Sequence, residues 1–262
     1  MRRKLFALAL PFALVFALCA CGAEAKTAKE EASPAVEVTA TPEPTPEPTP
    51  TPEPEPVIDF EVTYTSCKVA TDDAGRNTFA QILFVVENKG DCAITLGYEN
   101  PSYVDLIDEE GNVVETKNIY GGYPSIIKPG EKSYFYQQEV IATEKRNLTA
   151  VPSIDFQQAF EEITFLPTKD VTFGRDTRPY NPSGVVASGV VENTTGKMVT
   201  YCNIYVVLFS GDDPVGVISS YISDPIHEDS EVEFETMDGR EMQRFVNFNN
   251  ITSCEAFAYI LK

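Results

Sequence analysis

Val-Val-Glu-Asn at residues 85–88 recurs at residues 190–193, and each copy runs into a turn, Lys89-Gly90 or Thr194-Thr195-Gly196. Adjacent valines favour a strand, and asparagine and glycine favour the turn that ends it. The two copies are separated by roughly 100 residues, which is the length of one small domain. The repeat therefore predicts two copies of the same β-domain.

Further segments recur in the same order on both sides of this motif. The matching pairs are 57–69 with 163–173, 103–107 with 205–209, 127–131 with 226–230, and 147–149 with 250–252. Short runs rich in Val, Ile, Phe, Tyr and Thr, separated by Gly, Pro, Asn and Asp, are typical of β-sandwiches. We predict an all-β chain with two tandem immunoglobulin-like β-sandwich domains of six or seven strands, at residues 57–160 and 161–262. Residues 157–162 are a candidate helical turn between them.

The run from Cys202 to Leu208 is apolar at nearly every position. Cys202, Ile204, Val206 and Leu208 fall on one face of a strand, and Asn203, Tyr205 and Val207 fall on the other. Because both faces are largely apolar, we expect a central strand of the second sandwich.

The N-terminus has the layout of a secretory signal peptide over residues 1–21. A basic start is followed by an apolar run, Leu5 to Leu18, which is short for a membrane span of about 20 residues. Residues 22–56 are polar, and every second residue from Pro42 to Pro56 is proline. We predict a disordered Pro/Glu/Thr-rich linker with polyproline II character, which acts as a spacer.

Leu18-Cys19-Ala20-Cys21 resembles the lipobox of bacterial lipoproteins. The resemblance implies that Cys21 carries a diacylglycerol on its sulfur, with acyl chains such as palmitate, and becomes the mature N-terminus. Two acyl chains anchor a protein stably. The expected location is the extracellular face of a cell membrane, lipid-anchored, in a Gram-positive type of envelope. The alternative is an ordinary signal peptide that contains two cysteines.

The two halves resemble the FxLYD-type domain of Gram-positive surface lipoproteins. The matching residues are Gly189-Val190-Val191-Glu192-Asn193 with Leu208-Phe209-Ser210, and Val85-Val86-Glu87-Asn88 with Leu106-Ile107-Asp108. The family's tyrosine is replaced by Ile107 or Phe209, and its aspartate by Ser210. The resemblance implies a sandwich fold and supplies no catalytic residue.

Catalytic and cofactor signals are weak in this sequence. His227 is the only histidine, and it lies in an acidic turn beside Glu228 and Asp229. A Ser-His-Asp or Cys-His arrangement would have to use it. We therefore expect no catalytic residue, no cofactor and no metal. Calcium bound by loop carboxylates is the open alternative, and the acidic groups are Asp72-Asp73, Asp108-Glu109-Glu110 and Asp212-Asp213.

Four cysteines follow the anchor region, Cys67 and Cys92 in the first copy and Cys202 and Cys254 in the second. Two cysteines per domain in an exported protein suggest one disulfide in each, Cys67–Cys92 and Cys202–Cys254. These positions are not equivalent between the copies. Free thiols are the alternative.

The stretch 119–125, Ile-Tyr-Gly-Gly-Tyr-Pro-Ser, is a candidate contact loop. Tyrosines beside glycines make large amphipathic contacts on a flexible backbone, so Tyr120 and Tyr123 are candidate ligand-binding residues. The alternative is a long hairpin with its tyrosines on the strand faces.

The net charge of −20 opposes binding to nucleic acid. The sequence predicts a non-catalytic binding or envelope-associated module whose partners are the membrane, through its lipid anchor, and cell-wall or surface proteins. The alternative is a structural spacer or assembly component that contacts other surface proteins. An enzyme is a third and weaker reading.

Overall fold

The computed structural model describes residues 54–72, 74–178, 184–236 and 241–261. The predicted signal peptide, most of the predicted linker, the predicted lipid attachment site at Cys21, and Asp73 lie outside the described residues. The described chain is built from antiparallel strands, and its helical segments are two short 3-10 turns, at Glu241–Arg244 and Phe248–Asn250. The all-β prediction is confirmed.

The first half folds into three antiparallel sheets, ordered β1-β2-β7, β5-β4-β8 and β6-β3-β9. Its strands are β1 (Phe60–Thr71), β2 (Thr78–Asn88), β3 (Ile94–Leu96), β4 (Tyr103–Ile107), β5 (Val113–Asn118), β6 (Ile126–Ile127), β7 (Lys132–Ile141), β8 (Thr149–Ser153) and β9 (Phe156–Gln158). Alternate residues of β2 and β4 pack into one core, where Phe84 stacks on Phe135 with ring centroids 4.7 Å apart.

The second half has two sheets, ordered β11-β12-β15 and β10-β16-β13-β14. Its strands are β10 (Ile163–Leu166), β11 (Thr168–Arg175), β12 (Val185–Glu192), β13 (Cys202–Ser210), β14 (Asp213–Ile222), β15 (Glu231–Glu235) and β16 (Ser253–Leu261). One face of each sheet contributes to a second core. Each half therefore has the layered arrangement of a sandwich, and no sheet of the described chain mixes strands from the two halves.

The repeated asparagine closes the same turn in both sandwiches. Asn88 is fully buried, and its side-chain amide donates to the carbonyls of Cys92 and Ile127, at 2.8 Å each. Its side-chain oxygen accepts the N–H of Gly90 at 2.9 Å. The amide thus ties the end of β2 to the turn before β7, where Gly130 has a φ of 78°.

Asn193 makes the equivalent contacts in the second sandwich. Its side-chain amide donates to the carbonyls of Lys197, Ile226 and His227 at 2.7, 3.0 and 3.0 Å. Its oxygen accepts the N–H of Thr195 at 3.1 Å. The asparagine of the repeated motif therefore holds the same turn by side-chain hydrogen bonds in each copy.

One local expectation is wrong. The predicted helical turn at 157–162 begins as strand β9, because Leu96 and Ile94 on β3 offer it backbone partners. The β-prone run 163–173 forms two strands, because the chain switches sheets at Pro167: β10 pairs with β16, and β11 pairs with β12. Proline has no N–H to donate to a sheet, which suits a position between two pairings.

The two sandwiches share a third apolar cluster. Ile126 of the first and Tyr205, Val207, Val217 and Tyr259 of the second are all buried in it. Residue 205 stacks on Phe257 with ring centroids 4.8 Å apart and planes 8° apart. Strand β13 is central, as predicted, but its second apolar face packs against the other sandwich.

Candidate functional site

The two candidate tyrosines have different surroundings. Tyr123 is half-buried, exchanges backbone hydrogen bonds of 3.0 Å with Tyr134, and has its ring centroid 6.0 Å from that of Tyr205. It therefore packs against the cluster between the sandwiches, and its role as a ligand-binding residue stays a prediction. Tyr120 is 76% exposed. It remains available to a ligand.

Tyr120 is one of three aromatic side chains that stand out of the surface of the first sandwich. Tyr98 is 86% exposed and Phe160 is 88% exposed. These three are the most exposed large apolar side chains of the described residues. We call Tyr98, Tyr120 and Phe160 the aromatic strip.

Tyr98 lines two shallow pockets, and each pocket also includes one of the other two residues of the strip. One pocket, of about 390 Å³, is lined by the segments 96–102 and 118–120, so it holds both Tyr98 and Tyr120. The other, of about 240 Å³, has Tyr98 and Phe160 in its lining. Side-chain amides and carboxylates accompany the rings, and they belong to Glu99, Asn100, Asn118, Gln157, Gln158 and Glu161.

The loops that carry the strip are fixed to the sandwich by short contacts. The N–H of Gly97 donates to the carbonyl of Asp155 at 2.8 Å, and a Cβ at residue 97 would stand 2.4 Å from the Asp155 carboxylate. A larger residue at 97 would have to displace the Asp155 side chain. The Ile119 N–H donates to the Ser102 carbonyl at 3.0 Å, and the Ala159 N–H to the Ala93 carbonyl at 2.8 Å. The rings are exposed on an ordered backbone.

Sequence reasoning missed Tyr98 and Phe160. Each is a single aromatic residue in a polar segment, Gly97–Pro101 or 157–162, and neither belongs to a repeated motif. The available signal was the aromatic residue itself, because a turn has no core to bury it. The chain separation of 62 residues between the two hid that they share a surface, which depends on the β3–β9 pairing.

The expected disulfides are not formed, and all four cysteines of the described chain are free. Cys254 pairs with Leu208 on β13, six residues from Cys202, which is roughly 20 Å along a strand. Disulfides need Cα atoms within about 7 Å. Cys67 pairs with Ile82 on β2, far from the end of that strand.

Cys92 lies beyond the end of β2, with its sulfur 3.8 Å from the Val57 carbonyl oxygen. Burial raises the pKa of Cys67 and of Cys202 to about 11. These two thiols are therefore protonated at neutral pH and react slowly.

The acidic groups mostly serve their own turns. Asp72 accepts the N–H of Arg76 at 2.7 Å, and Asp108 accepts those of Glu110 and Asn112 at 3.0 and 2.8 Å. Asp212 lies in the tight turn between β13 and β14. No group of three or more His, Cys, Asp or Glu side chains within the described ranges is placed to hold a metal ion.

His227 lies exposed in the turn before β15. Its backbone carbonyl accepts the Ser230 hydroxyl at 2.7 Å and the Asn193 amide. The Ser230 hydroxyl is thus bonded to the backbone of His227. The residue acts structurally through its carbonyl oxygen.

No family model matches the chain, and no curated protein matches it significantly. Within the described ranges, the chain forms no helix of the length and apolarity needed to cross a membrane.

Proposed function

We propose that this chain is a lipid-anchored, non-catalytic binding protein of the outer cell surface, and that the aromatic strip binds an envelope glycan. The lipobox-like sequence ending at Cys21 and the proline-rich linker support the anchored location. The single observation that carries the binding role is the clustering of the three most exposed large apolar side chains on one surface.

The chemistry of the strip suits a sugar chain. Exposed aromatic rings cost free energy in water unless a ligand covers them. The apolar C–H face of a sugar ring packs on an aromatic ring, and the neighbouring amides and carboxylates can bond its hydroxyls. Two pockets in succession around Tyr98 suit consecutive units of a polymer.

The alternative function, a structural spacer or assembly component, has support of its own. The cluster around Tyr205 joins the sandwiches through buried side chains of both, which makes a stiff pair. A stiff pair on a proline-rich linker would hold surface proteins at a set distance from the membrane.

The test is co-sedimentation of the full-length chain, in neutral detergent, with insoluble cell-wall polysaccharide. We expect the chain to sediment with the polysaccharide and Tyr98→Ala to weaken binding at least about tenfold, since stacking side chains often dominate such contacts. Tyr221→Ala is the matched control, because Tyr221 is 50% exposed and lies on the second sandwich. Failure of the chain to bind polysaccharide, with capture of envelope proteins instead, would favour the spacer.

A further inference from the structure

A further cavity, of about 560 Å³, lies between the two sandwiches. The first sandwich contributes the end of the β6–β7 turn and the start of β7. The second contributes the β10–β11 junction and parts of β13 and β16. Its lining shares no residue with the two pockets of the aromatic strip. It is therefore a separate feature of the molecule.

Aromatic rings form much of its wall. The lining includes Tyr134, Phe165, Tyr205 and Phe257. The rings of residues 134 and 257 have centroids 6.3 Å apart. Lys128 already places its ammonium nitrogen 5.6 Å from the centroid of the Phe165 ring. The Phe165 ring therefore already makes a cation–π contact, with a lysine that does not line the cavity.

Two acidic residues line the same space. Glu131 and Glu255 both line the cavity, and the Glu131 Oε2 atom is buried without a hydrogen-bond partner in the described structure. Burial is the main cause that raises the pKa of Tyr205, and neighbouring tyrosines raise it further. The charges of Glu131 and Glu255 add smaller contributions in the same direction. Among the described lining residues Lys132 is basic, and its ammonium nitrogen lies 3.9 Å from a Glu87 oxygen.

A buried carboxylate oxygen without a protein partner is costly, and a bound cation would offset that cost. An anionic ligand would be repelled, and a neutral one would leave the Glu131 charge uncompensated. A small, strongly hydrated metal ion would need more oxygen ligands than two carboxylates supply. A weakly hydrated ammonium with apolar substituents suits both the rings and the carboxylate.

We propose that the cavity between the two sandwiches binds an organic ammonium ion, with Glu131 as its counter-ion and the rings of Tyr134, Phe165 and Phe257 around its apolar substituents. The ammonium is a quaternary amine or a primary amine on a short alkyl chain. This binding is independent of the glycan binding proposed for the aromatic strip, because the two sites use different residues.

The test is a calorimetric titration of the full-length chain, in neutral detergent at constant ionic strength, with choline chloride, butylamine hydrochloride and 3,3-dimethylbutan-1-ol. The alcohol has the shape of choline but carries no charge. We expect saturable binding of at least one cation and about tenfold weaker binding of the alcohol. Saturation by neither cation, or equal binding of choline and the alcohol, would overturn the proposal.

Glu131→Gln identifies the counter-ion. We expect it to weaken cation binding at least about tenfold without lowering the melting temperature, because it removes an unpaired buried charge and keeps the shape. Glu228→Gln, in the corresponding turn of the second sandwich, should leave binding unchanged. Phe257→Leu is the second test of the site, and it should weaken choline more than it weakens the alcohol. Unchanged binding in Glu131→Gln would contradict the assignment.

Discussion

Strands β4 and β13 occupy the same place in their sandwiches, yet their outer faces differ. Each is flanked by the strand that follows it and by the last long strand of its own half. In both strands, the residues that face the core of their own sandwich are apolar and buried. On the outer face, however, Asp105 of β4 corresponds to Val207 of β13, and only Val207 is fully buried.

This difference determines which sandwich face is covered. The first sandwich has a carboxylate on the outer face of β4, where Asp105 accepts the Thr116 hydroxyl at 2.5 Å. The second covers the same face with the first sandwich, through Tyr205, Val207 and Val217. The inner face of each strand makes the fold, and the outer face determines what the sandwich contacts.

Exchanging the differing residues should produce the largest effect. Val207→Asp places an unpaired charge in the shared cluster and should cost about 3 to 5 kcal/mol of unfolding free energy, or separate the sandwiches. The reverse change, Asp105→Val, loses one hydrogen bond at a half-buried site and should cost about 1 kcal/mol or less. Urea unfolding of both variants measures the contrast.

Equal losses in these two variants would contradict the view that the outer faces differ in role. Val207→Ala serves as the control for packing alone. It keeps the face apolar and should cost less than Val207→Asp.

The shared asparagine should produce the next largest effect, similar in both halves. Asn88→Ala and Asn193→Ala each leave buried carbonyls without a donor, so we expect losses of about 2 to 3 kcal/mol in unfolding free energy. The Asn193 loss should be the greater, because its amide contacts three carbonyls. Asn100→Ala, at an exposed site, is the control. Losses near zero would show that water replaces the amide.

The repeat, the strand-rich fold and the central position of β13 could be predicted from sequence, because they depend on local patterns. Alternation and turn residues identify a buried strand wherever its partner lies. The reason for the second apolar face of β13 could not be predicted. An apolar face looks the same whether it packs on a sheet of its own domain or on a neighbouring domain.

A smaller effect, at one turn of the first sandwich, is expected in acid. The Lys145 ammonium and the backbone N–H of Asn112 lower the pKa of Asp108 to about 2, from 3.8. The folded state therefore stabilises the ionised carboxylate of Asp108 relative to the unfolded state. Its contribution is complete above about pH 4 and is lost as the pH falls towards 2.

Hydrogen exchange measured from pH 5 to pH 2.5 should report this loss around β4 and β8. The tight turn that takes the place of this loop in the second sandwich, at Gly211 and Asp212, makes no such ion pair. Asp108→Asn should flatten the pH dependence of the first sandwich. An unchanged slope in that variant would assign the acid response to other carboxylates.

The smallest effect expected is that of a reducing agent. Because the four thiols are free and their positions differ between the halves, dithiothreitol should leave the melting temperature unchanged. Alkylation at pH 8 should label Cys67 and Cys202 only slowly, since both have a pKa near 11. Peptide mass spectrometry measures the labelling. A mass loss of two hydrogens across any pair would contradict the free thiols.

The candidate site could be predicted only in part. Tyr120 stood out through its neighbouring glycines, but its exposure does not distinguish it from Tyr123 in sequence. The two differ because the backbone of residue 123 pairs with Tyr134 beside the second sandwich. Tyr98 and Phe160 lie on one surface because β3 pairs with β9. This is a contact between distant segments, and no local pattern encodes it.

The most direct test of the proposed function is a hydrogen-exchange footprint of the full-length chain with and without solubilised cell-wall glycan. The account predicts protection at residues 95–102, 118–121 and 157–161, and little change in the corresponding region of the second sandwich. Protection elsewhere, or none under conditions in which the glycan binds, would contradict the assignment of the aromatic strip.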